Sequence, residues 1–107
     1  MGAVLDITIN EGDTFIMVLE LWDDVDNTLP TDISADDFKG TFKFGNLTIP
    51  MNIKKLTPAV NAIEASVQYT DMRDLPRQGR YDIDQLPTGE SFRLLEGAVQ
   101  VSKEITQ

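Results

Sequence analysis

The chain contains no cysteine and no histidine. Without cysteine it has no disulfide framework, no thiolate nucleophile and no zinc site built on thiolates. Without histidine it lacks the commonest general base and the commonest metal ligand. No apolar run approaches the roughly 18 residues of a membrane-spanning helix. The opening residues, Met1–Asp6, lack the basic and apolar regions of a signal peptide, so we expect synthesis in the cytoplasm.

Positive charge is scarce. The 107 residues include 9 basic and 18 acidic side chains, which gives a net charge of −9. A surface this acidic repels phosphate groups and argues against binding to nucleic acid or to an anionic membrane. The apolar fraction of 41% is too high for a disordered chain. The length fits one domain, and we expect residues 1–107 to form it.

Apolar residues alternate with polar ones along most of the chain, which is typical of half-buried strands. About seven strands joined by short turns are predicted, the spacing of a sandwich or a barrel. We expect an all-β fold, a single antiparallel β-sandwich that is immunoglobulin-like; a barrel satisfies the same alternation. The predicted strands are Leu5–Asn10, Thr14–Trp22, Phe38–Phe44, Leu47–Lys54, Ile63–Tyr69, Gly79–Leu86 and Ser91–Ile105.

Three strands carry further predictions. The run Thr14–Trp22 is apolar on both faces, which favours a central strand or one covered on its second side. Pro50 lacks an N–H, so its strand should lie at a sheet edge or contain a bulge there. In the last strand the apolar positions change phase, which predicts a β-bulge near Leu94–Leu95 or Glu96–Gly97.

The segment from Leu75 through Gly79 to Tyr81 resembles a tyrosine corner. In that motif a tyrosine near the start of a strand donates its hydroxyl to the backbone a few residues upstream. A buried phenol needs such a partner. The alternative is that Tyr81 is a core aromatic whose hydroxyl is hydrated.

Catalysis would have to rely on carboxylates, lysine or tyrosine. The acidic cluster Asp23, Asp24 and Asp26 lacks the glycine and glutamate spacing of a calcium loop. Asp82 and Asp84 share one strand face and are expected to form an outward polar stripe. We therefore expect no enzyme, no cofactor and no metal.

Two other features have a functional and a structural interpretation. Trp22, the single tryptophan, could stack on a sugar and make the protein a carbohydrate-binding module, although a lone tryptophan more often packs in a core or an interface. Lysines also cluster on the predicted hairpin, where they can orient copies in an assembly or protect a sheet edge: Lys39, Lys43, Lys54 and Lys55.

The order of motifs resembles small structural proteins of tailed bacteriophages, among them the immunoglobulin-like amino-terminal domains of baseplate upper proteins. The residues that carry the resemblance are Glu11–Phe15, Pro30–Ile33, Leu75–Asp84 and Leu94–Val101, with Ile105–Thr106. The resemblance implies a non-enzymatic virion structural protein, made in the host cytoplasm. Its role would be a tail, baseplate or neck adaptor that anchors a fibre or neighbouring subunits. A capsid decoration or head-fibre protein is the alternative.

The expected partners are other virion proteins, namely tail, neck, fibre or capsid subunits, and further copies of the same chain. Exposed sheet edges can pair with a neighbouring chain by strand addition. Two polar segments are the candidate contact regions, the loop Asp23–Asp37 and the end Ser102–Gln107. The candidate contact residues are Trp22, Asp23, Asp24, Asp26, Lys103, Glu104 and Ile105. Removing residues 102–107 is expected to weaken incorporation and leave the domain folded.

Overall fold

A computed structural model describes residues 3–23, 25–26, 28–87 and 90–103. These residues form eight strands and one short 3₁₀ turn, Tyr69–Asp71. The strands are β1 (Ala3–Val4), β2 (Ile7–Asn10), β3 (Phe15–Glu20), β4 (Asp37–Phe44), β5 (Leu47–Lys55), β6 (Ala62–Val67), β7 (Gln78–Leu86) and β8 (Phe92–Ser102). The all-β prediction is confirmed. The described part of the chain has no helix long and apolar enough to cross a membrane.

The strands form one curled sheet in the order β1-β8-β7-β4-β5-β6-β3, with β2 following β1 along β8. Most neighbours are antiparallel, but β1 and β2 run parallel to β8, which corrects the expectation of a purely antiparallel sheet. The predicted first strand begins at Ile7, two residues later than expected, because the chain leaves the ladder at Leu5 and Asp6; the two residues of β1 precede this break.

The sheet turns its corner along β5. The first half of this strand pairs with β4, and its second half, from Asn52 onward, pairs with β6. Strands that pass from one sheet layer to the next in this way make the corners of curled sheets. Pro50 pairs with Thr41 in the half that has only β4 beside it. Its missing N–H is therefore accommodated at a local edge, inside a strand that has neighbours on both sides overall.

Phe42 is fully buried at the centre of the core. Its ring meets Phe15 of β3 edge to face, with 4.9 Å between centroids, and lies 5.9 Å from Phe44 and 6.1 Å from Tyr81. Such aromatic pairs add roughly 0.5–1.5 kcal/mol each beyond the area that they bury. The Phe15 contact joins β3 to the opposite half of the curled sheet.

The prediction that Thr14–Trp22 is central or covered is wrong. Among the described strands, β3 pairs only with β6 and stands at the end of the sheet. The side chains of Ile16 and Val18 point outward and are 60% and 53% exposed. Apolar residues on both faces of this strand therefore mark an open edge.

The predicted bulge in the last strand is confirmed at the first of its two alternatives. Ile83 of β7 pairs with Leu95, whereas the next residue, Asp84, pairs with Arg93. Leu94 is the extra residue, and it shifts the apolar positions by one.

Tyr81 is buried, but the tyrosine-corner prediction is wrong about its partner. The hydroxyl donates to the carbonyl of Leu5, 2.5 Å away and 76 residues distant in sequence. That carbonyl lies against Gly97, where any Cβ would collide with it. Asp6 then accepts a hydrogen bond from the Ala98 N–H, 2.9 Å away, so the N-terminal run is fixed to β8 at the point where it leaves the ladder.

The other two residues of the predicted corner are also structural. Leu75 is 1% exposed and belongs to the core. A Cβ on Gly79 would collide with the ring of Phe44 and the carbonyl of Lys43. Both positions therefore support packing around Tyr81 without forming the predicted hydrogen bond.

Replacing Tyr81 with Phe should reduce the free energy of unfolding by about 1 kcal/mol at neutral pH, because the Leu5 carbonyl loses its donor. Burial, and then the charge of Asp6, raise the pKa of Tyr81. A raised pKa in the folded state means that its contribution is complete below about pH 10, the unfolded value, and declines above it. Urea unfolding from pH 7 to 11 should therefore show wild type and variant converging at high pH.

The exposed Tyr69 supplies the control, because Tyr69→Phe keeps the ring that Arg73 stacks on. This variant should match wild type within about 0.5 kcal/mol. A Tyr81→Phe deficit that stays constant to pH 11 would contradict the assigned role of the hydroxyl.

Candidate interaction site

The outer edge of β3 is the candidate interaction site. In the described structure this edge has no neighbouring strand, so a row of backbone N–H and C=O groups is left without ladder partners. Natural edge strands are commonly protected by lysine, proline or a bulge. The six residues of β3 include no lysine and no proline. The strand also has no bulge, since its register with β6 is regular from Phe15 to Glu20.

Both faces of β3 offer apolar surface next to this edge. Ile16 and Val18 project outward and are mostly exposed. On the opposite face Phe15, Met17 and Leu19 pack against the core and remain half-buried. The strand carries one charge, on Glu20 at its end. A long regular edge with this composition is suited to pairing with another chain.

The other end of the sheet is a poorer template. There the outer strands are β1 and β2, separated by the break at Leu5 and Asp6. The Leu5 carbonyl is committed to Tyr81 and the Asp6 carboxylate to the Ala98 N–H. A neighbouring chain would find no continuous ladder at this edge, which leaves β3 as the better docking edge of the two.

The polar loop after β3 forms a short arm, which is closed at its base by Trp22 and Pro30. Trp22 and Pro30 form an antiparallel bridge, and the Asp23 N–H donates to the Leu29 carbonyl at 2.7 Å. The Thr31 hydroxyl donates to the Asp23 carboxylate at 2.7 Å. Beyond this closure the side chain of Val25 is 97% exposed. The loop therefore presents an apolar side chain at its outer end.

The predicted contact residues of this arm do not share one environment. Asp23 helps to close the arm, and Asp26 is exposed beside Val25. Trp22 is half-buried, so part of its indole is unavailable for stacking on a sugar. Asp24 lies outside the described residues.

The base of the arm is fixed by a buried residue that the strand periodicity did not identify. Ile33 is 1% exposed, and its N–H donates to the Val60 carbonyl at 2.8 Å. Next to it, the N–H and the hydroxyl of Ser34 donate to Asp32, and these two hydrogen bonds lower the pKa of Asp32. An isolated isoleucine in a polar segment gives no periodic signal, so only the three-dimensional contacts identify it.

Lys103, one of the predicted carboxy-terminal contact residues, binds partners within its own chain. Lys103 donates to the Glu11 carboxylate at 3.0 Å and also to the Leu75 carbonyl. The same Glu11 oxygen accepts the Leu75 N–H at 2.9 Å. Lys103 thus joins two loops of its own chain, and removing residues 102–107 would also remove internal contacts. Glu104 and Ile105 lie outside the described residues.

The acidic stripe on the outer face of the sheet is organised by one arginine. Arg93 contacts the carboxylates of Asp84, Asp82 and Glu96 at 2.6, 3.8 and 3.5 Å. The hydrogen bond that Arg93 donates to Asp84 and the charge of Asp82 raise the pKa of Arg93. Asp82 and Asp84 are therefore engaged with a cation. Among the described residues no group of three acidic side chains could hold a metal ion.

The chain matches no protein-family model and no curated protein. The likeness to phage structural proteins consequently rests on the motifs in the sequence alone.

Substitution of Lys103 by Met should lower the free energy of unfolding by about 1 kcal/mol, because the Glu11 carboxylate, 13% exposed, loses its cation. Thermal unfolding followed by circular dichroism measures the loss. Lys54→Met is the control, since Lys54 is 62% exposed and 3.6 Å from Glu64, and it should change stability by less than about 0.5 kcal/mol. Equal effects at both positions would argue against an internal role for Lys103.

Proposed function

We propose that the protein is a non-enzymatic structural subunit of a tailed-bacteriophage particle, joined to a neighbouring copy through the outer edge of β3. The proposed contact rests on one observation: β3 is a regular strand with one free edge, and it carries two exposed aliphatic side chains, Ile16 and Val18. The phage setting is supported by the motif resemblance. A tail, baseplate or neck adaptor remains the favoured role, and capsid decoration is its alternative.

The side-chain pattern of β3 favours one register for pairing with a second copy. In an antiparallel pair, residues directly opposite each other point to the same face. A two-fold axis at Met17 meets this condition, because it places Ile16 opposite Val18 on the outer face and Phe15 opposite Leu19 on the inner face. Moving the register by one residue would place an outward residue opposite an inward one.

Charge favours the same register. Glu20 would lie opposite Thr14 of the other copy, and Asp13 opposite Leu21. Within residues 13–21 no two carboxylates therefore face each other directly, which matters in a chain of net charge −9. Two copies joined in this way form an isologous dimer, the commonest symmetric assembly.

The carbohydrate-binding alternative depends on Trp22. A sugar platform needs an open indole face, whereas this indole is half-buried beside its bridge to Pro30. The edge contact therefore accounts for more of the exposed apolar surface.

Because the chain has no cysteine, a single introduced thiol can report the proposed register. At the two-fold axis the Cα atoms of the two copies of residue 17 would be roughly 4.5–5.5 Å apart, within the range of a disulfide. We expect Met17→Cys to form a covalent dimer under mild oxidation, seen by non-reducing electrophoresis.

Leu19→Cys is the matched control, on the same strand and the same face. In the proposed register residue 19 lies opposite Phe15, so two thiols at this position would be too distant to join. Equal cross-linking of the two variants, or no cross-linking of Met17→Cys at concentrations where the protein associates, would reject the two-fold pairing.

The phage setting is tested by immunogold electron microscopy on particles from cells that carry the gene. The proposal expects label at the tail, baseplate or neck. Label along the head would favour capsid decoration, and particles without label would overturn the assignment to a virion.

A further inference from the structure

Two cationic side chains lie opposite each other on the outer face of the sheet. Lys43 of β4 lies directly opposite Arg80 of β7, and both side chains are exposed. Among the described residues neither takes part in an ion pair. Like charges opposite each other destabilise a sheet. In a chain with twice as many acidic as basic residues, this arrangement suggests that the anion comes from outside the molecule.

The two cations line an open groove of about 800 Å³ that crosses β2, β8, β7 and β4. This volume is within the usual range of protein ligand sites, roughly 300–1,000 Å³. Gln78 and Gln100 add amide groups, and Asp6, whose carboxylate accepts the Ala98 N–H at 2.9 Å, adds one negative charge. The lining therefore carries two cations and one anion. The groove can therefore offer both charge and hydrogen bonds to an acidic segment.

A complementary element lies at the opposite end of the strands. The arm that follows β3 carries the exposed carboxylate of Asp26 beside Val25, whose side chain is 97% exposed. β4 begins at Asp37, directly after this loop, and ends at Phe44, next to the groove. The six residue steps from Asp37 to Lys43 correspond to roughly 20 Å. One molecule thus presents an acidic arm at one end and a basic groove at the other.

We infer that the Lys43–Arg80 groove of one copy binds the acidic arm of a second copy. The carboxylate of Asp26 would approach the two cations, and Val25 would supply the apolar contact. Such a head-to-tail interface uses two different surfaces, and it builds rings when the rotation closes and filaments when it does not. This contact goes beyond the edge pairing of β3 and does not depend on it.

The test uses a chain carrying Ile16→Lys and Val18→Lys, in which lysines protect the edge of β3. Sedimentation velocity over a range of concentrations should still show self-association of this background. Adding Lys43→Glu and Arg80→Glu should abolish it, and so should adding Val25→Lys and Asp26→Lys. An equimolar mixture of these two charge-reversed chains should associate again, because one has an intact arm, the other has an intact groove, and the two reversed surfaces are also opposite in charge.

Lys39→Glu is the matched control, since it makes the same charge change on the same strand but outside the groove. It should leave association intact, and circular dichroism should show every variant folded. A background that is monomeric at all concentrations overturns the inference. Association that survives reversal of the groove charges overturns it as well. If Met17→Cys forms no cross-link while the chain with Ile16→Lys and Val18→Lys still associates, the edge contact of β3 is rejected and the contact between arm and groove stands.

Discussion

The sheet curls around Phe42 without closing, and this constraint shapes the rest of the molecule. The edge-to-face contact between Phe15 and Phe42 holds β3 against the opposite half of the sheet. β5 makes the corner by pairing with β4 along one half and with β6 along the other. A curled sheet that stays open must end in two edges, and each edge needs protection or a partner.

The two edges are treated differently. At the N-terminal edge the chain leaves the ladder, turns the Leu5 carbonyl over Gly97 toward Tyr81, and then rejoins β8. This break protects the edge at the expense of a continuous hydrogen-bond ladder. The β3 edge has no such device among the described residues, and it carries exposed aliphatic side chains. The contrast favours β3 as the place where a second chain is added, and with it the proposed structural role.

The strand pattern could be read from the sequence because burial on one face imposes a period of two. The bulge at Leu94 was also predictable, since an extra residue changes the phase of that period. The placement of β3 was not, because a covered strand and an open edge share the same two-sided apolar pattern. Likewise, the Tyr81 motif suggested a local partner, whereas the hydroxyl reaches Leu5 at the other end of the chain. Ile33 and Met72 are buried within polar segments and have no periodic neighbours to reveal them.

The lysines of the β4–β5 hairpin were visible in the sequence, but the opposition of Lys43 and Arg80 depends on strand register.

Strand addition at β3 remains the central claim, and amide hydrogen exchange by NMR tests it most directly. In dilute solution the amides of β3 that point away from β6 should exchange rapidly, and they should become protected as the protein associates. Fast exchange at these amides in the associated protein would contradict the account.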